Sequence, residues 1–189
     1  MHWIMMNERT DEYEISIDNL PPLIKNLDLN FDYGDLIPVN LPVIDVPYDL
    51  QLDERMTDVI VVATRVGLLV NAKVKSIFDA LKVTNIQYFP TRLIKSDTNE
   101  IDQGYCIANI VGKNKCVDFE KSELELFDDG DIEFIDKLVL NIDEQGDYEH
   151  IFRLAEFPAL LVISDMLKNE IEAARVTGLK IYKPEEFSI

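Results

Sequence analysis

The chain has 189 residues, of which 47% are hydrophobic, 36 are acidic and 18 are basic, so its formal net charge at pH 7 is −18. This charge would repel the phosphates of DNA and RNA, and it therefore argues against a nucleic-acid-binding function. The composition is typical of a globular rather than a disordered protein, and the length predicts a single compact domain over residues 1–189.

Residues 1–60 contain prolines and show little helical periodicity, and this pattern predicts extended chain. Five prolines lie within residues 19–47, and we expect this stretch to run as extended segments over the surface. Residues 1–8 lack the basic segment and the apolar stretch of a secretory signal, and no apolar run reaches the roughly 18 residues that cross a bilayer. We therefore expect a cytoplasmic protein that makes no membrane contact.

Residues 67–90 and 159–184 form an internal near-repeat. In each copy a short apolar run leads to an amphipathic helical pattern and then to a second apolar run that ends in proline. Asn71 and Ser164 are preferred N-caps for the two helices, and Asn85 and Gly178, just past them, are types that tolerate the left-handed conformation. The spacing of apolar residues predicts one buried face on each helix, made by Val74, Ile77, Phe78 and Leu81 in the first copy and by Leu167, Ile171 and Ala174 in the second.

Two further strands are predicted between the copies, at residues 103–111 and 131–142, with acidic turns separating them. Together with the near-repeat they predict an α+β fold, in which a mixed, largely antiparallel sheet is built around two similar strand–helix–strand units. The pattern is compatible with one continuous sheet and with two separate ones.

The sequence contains few of the residues on which catalysis or metal binding depends. Its two histidines, His2 and His150, lie in no recognisable catalytic motif, and the glycines form neither a dinucleotide-binding fingerprint nor a phosphate loop. Cys106 and Cys116 have no histidine or second cysteine close to either, which does not match zinc-ligand spacing. We therefore predict no catalytic residue, no metal site and no cofactor.

The densest run of charge lies at residues 118–136, where nine carboxylates alternate with apolar residues. This run is either a solvated turn that joins two strands or an acidic patch with interleaved aromatics that binds lysines and arginines of a partner. In the second interpretation the predicted partner-binding residues are Asp128, Asp129, Asp131 and Glu133. The net charge of the whole chain also has two interpretations. It either keeps the protein soluble and has no further role, or it attracts a basic protein.

Several segments resemble one known protein family. Residues 149–164 read EHIFRLAEFPALLVIS, residues 176–187 read VTGLKIYKPEEF, and residues 105–122 contain YCIANIV, CVD and KS. These segments resemble the bacterial immunity proteins of the Imm11 type, formerly a domain of unknown function, which are encoded beside polymorphic toxins. The shared motifs are mostly apolar and are explained by core and turn chemistry, so no catalytic or binding residue carries over from the family.

The resemblance implies a non-enzymatic, stoichiometric inhibitor in the cytoplasm of the producing cell. It would act in competition between bacteria by binding a cognate toxin and covering its active site or substrate channel. The acidic charge favours a basic toxin, and a nuclease is favoured because a phosphate mimic could occlude its cationic groove. Two other functions remain open, a small enzyme that reverses a toxin's modification with the carboxylates at residues 128–133, and an acidic interaction scaffold without a toxin.

Overall fold

The computed structural model describes residues 1–7, 20–37, 40–48, 56–61, 65–143 and 148–189. Within them lie three α-helices, α1 (Pro22–Asn26), α2 (Ala72–Ala80) and α3 (Asp165–Ala173), and a 3-10 helix at Pro184–Glu186. The described residues also form thirteen strands, which are β1 (His2–Asn7), β2 (Ile44–Tyr48), β3 (Val59–Val61), β4 (Leu68–Asn71), β5 (Ile86–Lys95), β6 (Ile101–Asp102), β7 (Tyr105–Ile110), β8 (Lys113–Asn114), β9 (Glu123–Leu126), β10 (Ile132–Lys137), β11 (Ile151–Leu154), β12 (Phe157–Ser164) and β13 (Leu179–Tyr182). The predicted α+β class with mixed sheets is confirmed.

The strands form two large sheets and a separate two-stranded one. The first sheet has the order β13-β1-β12-β11-β8, in which β11 and β8 are parallel and the other neighbours are antiparallel. The second sheet has the order β2-β5-β7-β4-β3, with β6 also paired to β5 and with β2 and β5 parallel. The third sheet consists of β9 and β10, which are antiparallel.

The helices α2 and α3 each lie in the chain between two strands that are separated in their sheet by one antiparallel strand. In the second sheet β4 and β5 both pair with β7, and in the first sheet β12 and β13 both pair with β1. The two copies of the near-repeat therefore lie in different sheets, and the near-repeat itself stays a prediction.

Both long helices begin at the predicted capping residues. The Asn71 side chain accepts hydrogen bonds from the backbone N–H groups of Lys73 (3.1 Å) and Val74 (3.2 Å). In the same way the Ser164 hydroxyl accepts from the N–H of Leu167 (3.2 Å). The apolar faces of the two helices meet in one core that both large sheets share, and the helix residues buried there are Val74, Ile77, Phe78, Leu167 and Ile171.

The residues that reverse the chain after the helices differ from the prediction for both helices. Lys82 (φ +55°) and Arg175 (φ +50°) directly follow the C-caps Leu81 and Ala174 and make the two reversals, whereas Gly178, which also has a positive φ (+88°), lies three residues beyond Arg175. The helix α2 ends before Asn85, and the side chain of that residue has another use. Its Nδ2 donates to the carbonyl oxygens of Val111 (3.0 Å) and Ile151 (2.8 Å), and this links the end of β7 to β11 across the two large sheets.

The prediction that residues 19–47 run over the surface is wrong. Ile24, Phe31, Ile44 and Val46 are all fully buried in a core beneath the second sheet. The prolines that suggested exposure are compatible with this burial, since Pro22 lies in the first turn of α1, where its missing N–H leaves no hydrogen bond unmade. Three parts of the predicted extended region lie outside the described residues, namely residues 8–19, 38–39 and 49–55.

Asp58 connects the segment after α3 to the start of α2. Its carboxylate accepts hydrogen bonds from Lys73 Nζ (2.8 Å), Asn71 Nδ2 (2.8 Å) and the backbone N–H of Thr177 (2.9 Å). Burial alone would raise the pKa of Asp58, but these hydrogen bonds outweigh burial and lower the pKa from 3.8 to about 2. The charged carboxylate therefore stabilises the folded protein.

We predict that this stabilisation depends on pH. Because the pKa of Asp58 is lower in the folded than in the unfolded protein, its contribution is complete above pH 3.8 and is lost as the pH falls through about 2. Asp58→Asn is expected to lower the free energy of unfolding by about 2 kcal/mol at neutral pH, and this difference should shrink by about half at pH 3. Urea denaturation of both proteins at neutral pH and at pH 3 measures the change.

The control for this experiment is Asp79→Asn, which removes an exposed carboxylate that forms an ion pair with Lys75. Its effect should stay below about 0.5 kcal/mol, because exposed ion pairs contribute little. A difference between Asp58→Asn and the unchanged protein that is the same at both pH values would contradict the role given to the Asp58 carboxylate.

Two glycines provide a matched test of the close approach between the segment after α3 and β3. A Cβ added to Gly178 (φ +88°) would overlap the carbonyl oxygen of Val59, whereas one added to Gly130 (φ +91°) would meet no atom within 4 Å. Gly130→Ala is expected to cost about 1 kcal/mol, since only the backbone conformation is strained. Gly178→Ala should lower the free energy of unfolding by a clearly larger amount, measured by urea denaturation, and equal losses would contradict the contact.

Candidate functional site

The acidic run of the sequence forms a long β-hairpin at residues 116–141, which we call the acidic arm. β9 and β10 pair near its tip. Nearer its base, Val117 pairs with Leu140, and the N–H of Asp118 donates to the carbonyl oxygen of Val139 (2.8 Å). The acidic arm contains nine acidic and two basic residues, which gives it a net charge of −7.

One face of the acidic arm is fixed to the rest of the protein. Ile132, Ile135 and Leu138 are buried in a core that also contains Phe187. Ile135 in addition exchanges two backbone hydrogen bonds with Ile189, with N···O distances of 3.0 and 2.9 Å. These contacts hold the backbone of the acidic arm, so that the side chains on its other face are presented in defined positions.

The tip of the acidic arm brings the four predicted partner-binding residues together. Asp128, Asp129 and Asp131 lie in the turn between β9 and β10, Glu133 follows in β10, and all four are exposed. The turn is closed by a backbone hydrogen bond from the N–H of Phe127 to the carbonyl oxygen of Asp131 (2.8 Å) and by one from the N–H of Asp131 to the Asp129 carboxylate (3.2 Å). Their closeness follows from the sequence, because all four lie within residues 128–133. Their role in binding a partner stays a prediction.

Large apolar side chains lie among these carboxylates. Leu126, Phe127 and Phe134 are 47%, 51% and 50% exposed. The register of β10 against β9 shifts between Ile132 and Phe134, and this irregularity leaves Glu133 and Phe134 both exposed although they are neighbours in a strand. Aromatic groups of this kind, surrounded by polar groups, are typical of the centre of a protein–protein interface.

The cations of the acidic arm lie away from its tip. Lys121 forms an exposed ion pair with Asp118 (2.7 Å), and this hydrogen bond lowers the pKa of Asp118 and raises the pKa of Lys121. Residues 122–136 contain no lysine or arginine. The negative charge at the tip therefore has no basic neighbour along this part of the chain and is available to a basic partner.

Both histidines make contacts that hold the fold together. The ring of His2 packs against those of Tyr148 and Phe152, and burial, with a smaller effect of the charged amino terminus, lowers its pKa. His150 Nδ1 lies 2.8 Å from the hydroxyl oxygen of Ser164, a contact that sequence reasoning did not predict. That same oxygen caps α3, so the hydroxyl is already engaged in holding the helix.

The cysteines are free thiols in different cores. Cys106 packs against the core that contains both long helices, and Cys116 is buried in the core beneath the acidic arm, where burial raises its pKa to about 12. Among the described residues, no group of three or more His, Cys, Asp or Glu side chains is arranged to hold a metal ion. In that same part of the chain, no helix is long and apolar enough to cross a membrane.

Sequence reasoning missed a buried polar cluster that holds the loop at residues 31–37, which we call the pinned loop. Arg153 is only 2% exposed, and its Nη2 donates to the carbonyl oxygen of Phe31 (2.9 Å). The Gln87 side chain accepts from the N–H of Ile37 (2.9 Å) and donates to the carbonyl oxygen of the same residue (3.0 Å). The signal in the sequence was Arg153, a charged residue inside the otherwise apolar strand β11.

A protein-family model described as "Immunity protein family (Imm11)" matches residues 37–186. The matched segment contains the acidic arm, both long helices and the side chains of Arg153 and Gln87 that hold the pinned loop. A search of curated proteins found no match. The resemblance that was inferred from the sequence motifs is thereby confirmed.

Proposed function

We propose that this chain, which belongs to the Imm11 immunity protein family, neutralises a cognate bacterial toxin by binding to it and covering its active site or substrate channel. In this proposal the chain acts as a single domain in the cytoplasm of the cell that makes the toxin. It forms no covalent bond and uses no cofactor, so each molecule of inhibitor accounts for one molecule of toxin.

The acidic arm is the toxin-binding surface in this proposal, and one observation carries it. Four exposed carboxylates and three half-exposed apolar side chains occupy the free face and tip of a hairpin whose other face is fixed in a core. Charge of one sign accelerates the encounter with an oppositely charged protein, whereas desolvated aromatic groups supply most of the binding energy once contact is made. The acidic arm offers both kinds of group on one surface.

The toxin is a basic protein in this proposal, because a chain of net charge −18 attracts basic surfaces. A nuclease is favoured, since its cationic groove binds phosphates and the carboxylates of Asp128, Asp129 and Asp131 would take the place of those phosphates. A pore-forming or protein-modifying toxin would instead be held through the apolar side chains, and its binding would depend less on salt.

The stoichiometry of inhibition separates this proposal from catalytic reversal of a toxin's modification. We expect the activity of the purified toxin, encoded beside the gene for this chain, to fall linearly as the chain is added and to vanish at one equivalent. Complete inhibition by a small fraction of one equivalent, with a rate that depends on time, would instead indicate turnover. If neither flanking gene encodes a product that this chain binds and neutralises, the proposal is wrong and a scaffold function is favoured.

Removing charge from the tip of the acidic arm should slow association with the toxin. The triple variant Asp128→Asn, Asp129→Asn, Asp131→Asn is expected to lower the association rate constant about tenfold at low salt, with a weaker effect at high salt. Surface plasmon resonance at two salt concentrations measures it. The double variant Phe127→Ser, Phe134→Ser should instead raise the dissociation rate, because it removes buried apolar contact and no charge.

A triple variant with the same change of net charge elsewhere provides the control. Asp97→Asn, Glu100→Gln and Glu170→Gln neutralise three exposed carboxylates in the β5–β6 turn and on α3. This control should change the association rate about twofold or less. Equal effects of the two triple variants would show that only the overall field acts, and the acidic arm would then lose its assigned role.

A further inference from the structure

The pinned loop is held in one conformation by contacts from distant parts of the chain. The N–H of Phe31 donates to the carbonyl oxygen of Arg65 (3.0 Å), and the N–H of Gly112 donates to the carbonyl oxygen of Gly34 (2.9 Å). Asn109 Nδ2 donates to the carbonyl oxygen of Asp35 (2.9 Å). Together with the bonds from Arg153 and Gln87, these contacts fix the backbone along a segment that has no regular secondary structure.

The groups that hold the loop are costly to bury. Arg153 and Asn109 are 2% and 0% exposed, and Arg153 Nε and Asn109 Oδ1 have no hydrogen-bond partner in the described part of the protein. A buried charge and an unpaired polar atom each carry a desolvation penalty, and the hydrogen bonds to the carbonyl oxygens of Phe31 and Asp35 offset it. These hydrogen bonds also fix the shape of the loop, because each of them is made only when the backbone lies in this position.

This fixed loop presents apolar side chains to solvent. Leu36 is 75% exposed and Tyr33 is 54% exposed, although the neighbouring Phe31 and Ile37 are buried. The three aspartates near these side chains, Asp28, Asp32 and Asp35, each form an ion pair, with Arg65, Arg153 and Lys113 respectively. A rigid apolar group is complementary to an apolar pocket, and the net charge of −18 on the whole chain favours a pocket with a basic rim.

We propose that the pinned loop is a second toxin-binding element, in which Leu36 enters an apolar pocket of the toxin and Tyr33 packs beside it against a rim of lysine or arginine. This inference rests on the proposed function. The loop loses little conformational entropy on binding because its backbone is already ordered, and the contact therefore slows dissociation of the complex.

The position of the loop allows one toxin molecule to contact the loop and the base of the acidic arm together. Asp35 forms an ion pair with Lys113 (2.9 Å), and the acidic arm begins three residues further along the chain, at Cys116. Three residues span at most about 11 Å. An interface of ordinary size, about 800 Å² on each partner, therefore has room for the pinned loop and the base of the acidic arm together.

The test is the double variant Tyr33→Ser, Leu36→Ser, titrated against the purified toxin encoded beside the gene for this chain. The expected result is a Kd about ten- to a hundredfold higher than that of the unchanged chain, caused by faster dissociation. The matched control is Ile101→Ser, Met166→Ser, which removes two apolar side chains of similar exposure on β6 and α3. The control should change the Kd about twofold or less.

Hydrogen exchange provides a second measurement that needs no variant. The amides of Phe31 and Ile37, which donate to Arg65 and Gln87, should be protected before toxin is added and should change little afterwards. Protection that develops only in the complex would overturn the claim of a preformed loop.

The outcomes separate the two proposals. If the unchanged chain binds the toxin and the acidic-arm variants weaken that binding, but Tyr33→Ser, Leu36→Ser binds as tightly as the unchanged chain, the second binding element is wrong and the proposed function stands. If the unchanged chain does not bind the toxin, the proposed function itself is wrong, and this inference fails with it.

Discussion

The buried guanidinium of Arg153 is the contact that joins the first large sheet to the loop of the N-terminal segment. It lies in β11, and its donors reach the carbonyl oxygens of Phe31 (2.9 Å) and Pro158 (2.8 Å), which belong to separate parts of the chain. A hydrophobic side chain in its place would leave both carbonyl groups buried without partners. Five N–H groups on a planar fork make arginine suited to this position, and lysine could not reproduce the geometry.

The acidic arm begins close to this contact. It follows β8, which pairs with β11 at Arg153, so the base of the hairpin is joined to the first sheet. Like charges at the tip repel one another, and the folded protein tolerates this because the carboxylates are exposed to water and the opposite face of the hairpin is packed against Phe187.

The features that the sequence predicted correctly depend on residues that are close together in the chain. The caps at Asn71 and Ser164, the apolar faces of α2 and α3 and the acidic turn all follow from spacings of a few residues. The burial of residues 19–47 could not be predicted in this way, because β2 pairs with β5, which lies 47 residues further along the chain at Ile44 and Thr91. The pinned loop was also beyond local reasoning, since Gln87 and Arg153 are 50 and 122 positions from the residues that they hold.

The two proposed surfaces contribute to recognition in different ways, the acidic arm through the rate of encounter and the pinned loop through selectivity. Carboxylates attract any basic protein, so the acidic arm raises the rate of encounter but cannot by itself distinguish one basic toxin from another. A rigid apolar side chain that must enter a pocket is more selective, because a pocket of the wrong shape leaves it unburied. The family match begins at residue 37, so Tyr33 and Leu36 lie outside the matched segment while Gln87, Asn109 and Arg153, which hold their loop, lie within it. In the proposed complex the fixed backbone of the loop would set the positions of Tyr33 and Leu36, and the size and shape of these two side chains would decide which pocket accepts them.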